Sequence, residues 1–448
     1  MSGYEALAKK LVQRAVKRGA KQAEAFLQVG RQADVRVRDG EIEDLTQATS
    51  KGAGLRVFVK GRLGFAWTSD FDPSTLDAFV DRAVALAESS APNRLNGLPD
   101  EADLGRFPDV GPLFDPEVAS LPPDWKIQAS VEMEKVVRAF DTRIKTIDSV
   151  GAGENVHEVY LANSAGVHGS SQGSSVYLYA SPVATDGQQL QTSYWYDAQR
   201  FFADLEAPEV VARKAAQRAV RLLGAKKVKS QKVPVILDPT MAAGFVASIA
   251  GAANGDSVYK KASFLAAKLG QRIAPEWLTL VDDGLRPRGL GTSPFDGEGV
   301  PTRRTAIVEK GVLRHFLYDA FTARKAKTRS TGNASRGYRS LPHIGTNNLY
   351  LEPGTKTPEQ LIKEVPSGFY VTAMLGHGAN TVTGEYSRGA NGLWIENGEL
   401  TKPVQEVTVA GNLTEMLMQL DAVGSDLTFH GSTGAPTIRF KELTVSGE

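Results

Sequence analysis

The chain has 448 residues, with 52 basic and 51 acidic side chains and a formal charge of +1 at pH 7. A chain of this length forms two or three domains, each large enough to bury its own core. The balanced charge gives no electrostatic reason to expect nucleic acid or an anionic membrane as a partner. Because the sequence contains no cysteine, it has no disulfides, no thiolate metal ligands and no cysteine nucleophile.

The amino-terminal segment predicts an amphipathic helix, since Leu7, Leu11 and Ala15 recur at four-residue intervals among lysines and arginines. This pattern differs from that of a secretory signal. No run of about 18 apolar residues occurs, which is the length that a membrane-spanning helix needs. We therefore predict a soluble, cytoplasmic protein.

The first ninety residues predict a compact α+β subdomain, residues 1–90. Val35 and Val37 alternate with arginines, and the dipeptides Asp39-Gly40 and Lys60-Gly61 are typical hairpin turns. Asp72-Pro73 then supplies a cap and a first-turn proline for a helix. Residues 91–123 are rich in proline, glycine and aspartate, and we interpret them as a connector.

Residues 124–224 predict a second α+β subdomain. A helix from Asp124 to Phe140 precedes strands at 156–162, 174–180 and 190–202, and Pro208 begins a further helix. The basic stretch 225–232 is interpreted as a solvated linker. Residues 231–448 are dominated by strand patterns and form the predicted carboxy-terminal domain. The predicted fold is therefore α+β and multi-domain, with antiparallel sheets, flanking helices and a strand-rich carboxy-terminal domain.

Local catalytic motifs are weak throughout the sequence. Two zinc-binding histidines on a helix stand one turn apart, but no two of the six histidines are spaced three, four or five residues apart. The segment 169–173 matches a nucleophile elbow only by its letters, because it lies within a predicted hairpin. Ser257 and Lys260 have the spacing of some acyl-enzyme hydrolases, so a metal-independent hydrolase stays an alternative.

The segment from Gly384 to Leu413 is the most informative part of the chain. Leu393, Trp394 and Ile395 form an apolar run before an Asn397-Gly398 turn, which predicts a β-hairpin. Four polar residues precede it in a glycine-bracketed loop, where side chains either pair with each other or meet a ligand. These residues are Glu385, Tyr386, Ser387 and Arg388.

This segment, together with residues 251–265, 293–299, 318–325 and 330–334, resembles the signature of the TldD/PmbA family, and the resemblance to its PmbA (TldE) branch extends over essentially the whole chain. Catalytic members of the family are zinc peptidases. In TldD-type subunits a His-Glu-x-x-x-His helix and a cysteine near the chain end bind the metal. The corresponding positions here fall near Val246, Ala247, Gly251 and His430. The resemblance therefore implies a chain without catalytic residues and without zinc of its own.

The resemblance further implies a heterodimer with a TldD-type zinc peptidase subunit, in which the partner carries the zinc. Such an assembly encloses a chamber that admits unfolded or flexible peptides, and strand-rich walls hold an extended peptide through backbone hydrogen bonds. The candidate chamber or interface residues are His377, Asn380, Glu385, Tyr386, Ser387, Arg388 and His430. Two alternatives stay open: a stand-alone homodimeric peptide-binding protein, and an independent peptidase with an unrecognised site.

Overall fold

The computed structural model describes residues 3–376 and 378–448. The helices of this part are α1 Gly3–Lys17, α2 Pro73–Ser89, α3 Pro116–Ala119, α4 Pro123–Phe140, α5 Pro208–Val220, α6 Pro239–Ala252, α7 Gly255–Tyr259, α8 Ala320–Ala326, α9 Pro358–Lys363 and α10 Leu413–Gln419. The strands of the first half are β1 Gln22–Arg38, β2 Glu41–Val59, β3 Arg62–Thr68, β4 Ile144–Asn163, β5 His168–Thr185, β6 Leu190–Thr192 and β7 Trp195–Gln199. Those of the second half are β8 Gln231–Leu237, β9 Leu280–Asp283, β10 Arg304–Glu309, β11 Val312–Leu313, β12 Ala334–Ser335, β13 His343–Ile344, β14 Asn348–Leu351, β15 Ser367–Leu375, β16 Glu385–Glu396, β17 Glu399–Asn412, β18 Leu420–Val423, β19 Thr428–His430, β20 Thr433–Ala435 and β21 Ile438–Ser446.

One antiparallel sheet unites the strands of the first half. Its order is β3-β2-β1-β4-β5-β6, and β7 also pairs with β5. Along β1, Leu27 packs with α1 and α2, whereas Val35 packs with α4 and α5. The two groups of helices therefore build two cores on a shared sheet. This sheet crosses the predicted division between residues 1–90 and 124–224, and that division stays a prediction.

The strands of the second half form a small barrel and a second sheet. The barrel follows the order β17-β16-β15-β8-β21 and closes because β17 also pairs with β21. The second sheet has the order β11-β10-β9-β14-β20-β19. Helix α6 packs against both, and Phe245 and Ile249 contribute to the largest core of the described residues. The predicted α+β class with a strand-rich carboxy-terminal region is confirmed.

The predicted hairpin turns lie where the dipeptides indicated. The φ angles are 55° and 80° at Asp39-Gly40, 51° and 75° at Lys60-Gly61, and 51° and 78° at Asn397-Gly398. Two successive positive φ values are the geometry of the type I′ turn, which matches the twist of the flanking strands. Short-range turn chemistry therefore fixes the register of these hairpins.

Two features differ from the expectation of uniform antiparallel strands. The β8–β15 and β14–β20 pairs are parallel, because longer segments connect their strands across the domain. The predicted strand 190–202 consists of the separate strands β6 and β7, each of which pairs with β5. No helix within residues 3–376 and 378–448 has the length and apolarity required to span a bilayer.

Candidate functional site

Helix α6 occupies the place where the resemblance puts the metal-binding helix. Asp238 caps its first turn by accepting a hydrogen bond from the Met241 N–H at 3.0 Å, and Pro239 follows as the first helical residue. Of the implied ligand positions, Val246 is buried in the core, whereas Ala247 and Gly251 lie at the helix surface. The helix therefore presents small side chains at that surface.

The loop before β16 and the first residues of β16 lie along this surface of α6. A methyl group built on Gly244 would lie 3.6 Å from Arg388 Nη1, and one on Gly251 would lie 3.9 Å from the Thr381 methyl carbon. The Gly378 backbone approaches closely enough to accept a hydrogen bond from the Ser387 N–H at 2.7 Å. Small residues on α6 thus make room for the loop.

Asn380 organises this loop. Its side-chain oxygen accepts hydrogen bonds from the backbone N–H groups of Val382 and Thr383 at 2.9 and 3.2 Å. Its own N–H donates to the Glu385 carbonyl oxygen at 2.8 Å. This is an Asx turn, in which a short polar side chain replaces a backbone acceptor. The predicted candidate His377 lies outside the described residues.

The predicted loop at Glu385, Tyr386, Ser387 and Arg388 is wrong, because these residues begin β16 and pair with residues 409–412 of β17. Along the strand they alternate between solvent and core. Glu385 and Ser387 are exposed, whereas Tyr386 is 2% exposed and packs edge-on against Phe245 of α6. Burial raises the pKa of Tyr386, although the Arg388 guanidinium opposes the shift. Tyr386 is therefore part of the core beneath the loop. Arg388 Nε is buried and has no hydrogen-bond partner among the residues the structure covers.

His430 lies apart from this loop, in a corner formed by β19 and β7. Its ring contacts Trp195 edge-on at 5.4 Å between centroids and Tyr196 at 5.3 Å. Both ring nitrogens are buried, and neither has a hydrogen-bond partner within the described part of the chain. Burial lowers the pKa of His430, while the Asp238 carboxylate partly opposes this shift. The imidazole is therefore neutral near pH 7.

The aromatic residues of β7 complete this corner. The sequence identified Trp195 and Tyr196 only as strand residues. In the structure, Lys214 Nζ and the Arg218 guanidinium lie 4.9 and 5.4 Å from the Trp195 ring centre, and the Trp195 N–H donates to Glu206. Adjacent aromatic residues on a half-buried strand were the only available signal for this arrangement. We call His430, Trp195, Tyr196, Arg218 and Asp238 the His430 corner.

A second polar region, which the sequence did not predict as a site, joins the first sheet to the carboxy-terminal domain. Arg56 of β2 donates to Glu298 at 2.8 Å and to Glu24 at 3.1 Å, and Arg336 donates to Glu24 at 2.5 Å. All four side chains are at most 6% exposed. We call them the buried ionic cluster. It connects residues from the motif 293–299 to strands β1 and β2.

The same motif contributes Asp296, beside a cavity of about 240 Å³. Its carboxylate accepts hydrogen bonds from the N–H groups of Glu298, Val300 and Ala334 at 2.9 to 3.0 Å. Burial and the nearby Glu298 charge outweigh these bonds and raise the pKa of Asp296 to about 8. The motif residues therefore shape the junction between the domains.

The alternative Ser257–Lys260 pair lacks a supporting geometry. Lys260 Nζ lies 2.5 Å from the Asp256 carboxylate, and its side chain is 60% exposed. Lys325 binds the other oxygen of the same carboxylate at 3.0 Å. Lys260 therefore forms an ion pair with Asp256 at the surface, instead of lying in an enclosed site beside Ser257 as a catalytic base would.

Within residues 3–376 and 378–448, no three or more histidine, aspartate or glutamate side chains converge as a metal site. Zinc sites in proteins require at least three such ligands. The residues described around α6 do not fit a zinc ion, and the absence of zinc from this chain stays a prediction.

The comparisons with known proteins agree along the whole chain. Residues 23–87, 116–223 and 230–447 match domain 1, the central domain and the C-terminal domain of the PmbA/TldA metallopeptidases. The chain belongs to the TldD/PmbA family. It is 32% identical to Metalloprotease PmbA of Escherichia coli O157:H7, covering 92% of this chain and 90% of that protein.

Two further relatives give the same result. A Metalloprotease PmbA homolog of Haemophilus influenzae is 33% identical, over 97% of this chain and 94% of the relative. The crystal structure of TldE from Thermococcus kodakarensis superimposes with a TM-score of 0.90 at 26% identity and covers 98% of this chain and 99% of that one. The chain is therefore a peptidase-like protein of the TldD/PmbA family.

Proposed function

We propose that this chain is the non-catalytic, metal-free subunit of a heterodimeric zinc metallopeptidase, which degrades unfolded or flexible peptides in the cytoplasm. In this proposal the companion is a TldD-type subunit, and it alone carries the zinc. The chain contributes chamber walls, substrate contacts and part of the subunit interface.

The surface of α6 is the observation that carries the proposal. The positions where a TldD-type helix would present its ligands carry Val246, Ala247 and Gly251, whose side chains offer no lone pair. The segment from Gly378 to Arg388, which comprises the loop before β16 and the first residues of that strand, lies against this surface, with Arg388 Nη1 close to Gly244. This arrangement supports a structural role for the helix, since the loop fills space that a metal site and its water would need.

Peptides in extended conformation suit the walls of this fold. Strand backbones recognise a peptide through its main chain, so that affinity depends little on its side chains. Glu385 and Ser387 are exposed beside α6, and they are the candidates for contact with substrate or with the companion. His430 is a further candidate, because its ring nitrogens retain their hydrogen-bonding capacity.

Peptide cleavage tests the proposal with three samples: the purified chain, the TldD-type companion and their mixture. We expect no cleavage of an unfolded peptide by the chain alone, cleavage by the mixture, and complete inhibition of the mixture by a chelator. Native mass measurement should show a complex of one copy of each chain.

Zinc content measured on the same samples separates the alternatives. Stoichiometric zinc in the purified chain, with chelator-sensitive cleavage, would contradict the proposal and indicate an independent peptidase. Failure of the two chains to associate, together with peptide binding by the isolated chain, would indicate a stand-alone binding protein.

A further inference from the structure

The cavity beside Asp296 has walls from both halves of the chain. Its volume is about 240 Å³; the lining residues Arg200 and Phe295 are buried, whereas Ser335 and Thr346 are exposed, so the cavity opens to solvent on their side. This volume is slightly below the range of about 300 to 1,000 Å³ that accommodates drug-sized ligands. A fitting ligand group is therefore about the size of one amino-acid residue. We call this space the Arg200 cavity.

Arg200 is a buried cation without a counterion. It is 2% exposed, and its guanidinium donates to the carbonyl oxygens of Leu113, Gly289 and Leu290 at 2.7 to 3.1 Å. Burial alone lowers its pKa to about 10, so the guanidinium stays charged at pH 7, and no carboxylate within the described part of the chain pairs with it. Because a buried charge is costly unless an opposite charge accompanies it, an anion in the cavity would stabilise Arg200.

His157 adjoins Arg200 at the cavity wall. A methyl group built on Gly173 would lie 2.7 Å from Arg200 Nη1 and 2.8 Å from His157 Nε2, so the two nitrogens meet over the same backbone. Arg200 Nη1 donates to Leu113, which leaves the second of its two N–H groups without an acceptor among the described residues. The His157 ring forms no hydrogen bond with the residues that the structure covers, and burial together with the Arg200 charge lowers its pKa. Two neighbouring side chains thus offer N–H donors to one oxyanion.

The acidic residues around the cavity do not neutralise Arg200. Asp296 holds a proton at neutral pH, because burial raises its pKa to about 8. The two glutamates of the buried ionic cluster are paired with the arginines of that cluster. Asp282 lies behind the wall, where it accepts hydrogen bonds from Asn333 and Asn347 at 2.6 and 2.9 Å, and burial raises its pKa as well. Arg200 is therefore the charge of this cavity that is left without a partner.

We infer that the Arg200 cavity binds the terminal carboxylate of a short peptide, with the carboxylate on Arg200 and His157 and the last side chain against the apolar wall. One uncompensated positive charge balances one carboxylate, whereas a phosphate group brings up to about two negative charges. Phe26, Val159 and Phe295 form the apolar wall, which favours a ligand with an apolar part over an inorganic anion. The peptide class of this ligand rests on the proposed function, and the cavity adds the place where a peptide end is held.

Calorimetric titration of the purified full chain tests the inference with three probes: the tripeptide Ala-Ala-Leu, its carboxy-terminal amide and inorganic phosphate. We expect the tripeptide to bind with a Kd of about 1 mM or below. The amide and phosphate should bind at least about tenfold more weakly, because the amide lacks the charge and phosphate lacks the apolar part. An amide or phosphate that binds as tightly as the tripeptide would overturn the inference, and so would the absence of saturable tripeptide binding.

Ser171→Asp and Ser170→Asp form a matched pair of variants on β5. Ser171 lines the cavity, whereas the neighbouring Ser170 is exposed and lies outside the lining. A carboxylate at position 171 repels that of the ligand, so Ser171→Asp should weaken tripeptide binding at least about tenfold. Ser170→Asp should leave the affinity within about twofold of wild type. Equal effects of the two variants would contradict binding in this cavity.

His157→Phe separates recognition of the carboxylate from contact with the apolar wall. Phenylalanine keeps a ring at this position and removes the N–H donor, so the tripeptide should lose affinity while the amide does not. Arg200 is left in place, because its removal would also break its bonds to three carbonyl groups. An unchanged ratio of tripeptide to amide affinity in His157→Phe would exclude the assigned carboxylate position.

Cleavage and zinc content, measured with the TldD-type companion, keep the two proposals apart. A chain that binds the tripeptide selectively but neither associates with the companion nor supports cleavage retains the Arg200 cavity and contradicts the proposed function. Cleavage by the mixture without selective binding of the free carboxylate has the opposite meaning.

Discussion

The buried ionic cluster and the His430 corner are both polar and largely enclosed, but they differ in how completely their groups are paired. In the cluster, Arg56 and Arg336 share the carboxylates of Glu24 and Glu298, so each charge has an opposite charge beside it, although Arg56 Nε and the Nε and Nη2 of Arg336 are buried without a hydrogen-bond partner among the described residues. In the corner, both nitrogens of His430 lack a hydrogen-bond partner among the described residues. A buried charge held by an opposite charge stabilises architecture, whereas a side chain whose polar atoms have no partner at all retains its hydrogen-bonding capacity for a ligand. The cluster is therefore structural, and the corner is the better candidate for function.

The largest expected effect comes from removing Arg56. Arg56→Met keeps most of the side-chain volume but leaves Glu298 buried without its arginine, and breaking a buried ion pair costs about 3–5 kcal/mol of unfolding free energy. Urea denaturation followed by tryptophan fluorescence measures the loss. Arg213→Met, which removes an exposed pair with Glu209, is the matched control and should cost less than about 1 kcal/mol. Equal effects of the two variants would show that the cluster contributes no special stability.

Asp296 gives the next largest effect, in the pH dependence of stability. Its folded-state pKa is raised to about 8, so between about pH 4 and 8 the folded chain holds a proton that the unfolded chain has lost. The contribution of this retained proton to the free energy of unfolding is complete below about pH 4 and is lost as the pH rises through 8. In Asp296→Asn, the loss of unfolding free energy between pH 5 and pH 8 should therefore be smaller than in wild type by more than about 1.4 kcal/mol, the value of one pKa unit.

The difference is measured by urea unfolding at several pH values. Asn also loses one of the acceptors for the three N–H groups, so the variant should be less stable than wild type at pH 5. Asp148→Asn, at an exposed position, is the control and should leave the slope unchanged. An unaltered slope in Asp296→Asn would mean that Asp296 is ionised in the folded chain at pH 7.

These two regions also show how far sequence reasoning reaches. The hairpin turns were predicted because two adjacent residues determine their geometry. The ionic cluster was not predicted, because Arg56 and Glu298 are 242 positions apart. The residues next to each of them in the sequence do not indicate its partner. His430 was selected through the resemblance alone, and its contacts with Trp195 and Tyr196 depend on how β19 and β7 meet. The apolar run 393–395 and the Asn397-Gly398 turn predicted the hairpin, but residues 385–388 carry polar side chains and were assigned to a loop, so the sequence did not show that Tyr386 faces the core while Glu385 and Ser387 face solvent.

The smallest effect on stability, and the sharpest test of the comparison, comes from His430→Phe. Phenylalanine keeps the aromatic contacts with Trp195 and Tyr196 and removes the two unpaired nitrogens, so stability at pH 7 should stay within about 1 kcal/mol of wild type or rise. Because burial lowers the folded-state pKa of His430, the wild-type chain loses stability as the pH falls below about 6.5, and the variant lacks this pH-dependent loss.

Peptide affinity of the complex between His430→Phe and the TldD-type companion should fall about tenfold, as expected for one lost hydrogen bond in a buried site. His343→Phe, at an exposed position, should change neither property. A His430→Phe chain that binds peptide normally but unfolds more readily would reverse the assignment, since the corner would then be architecture like the cluster.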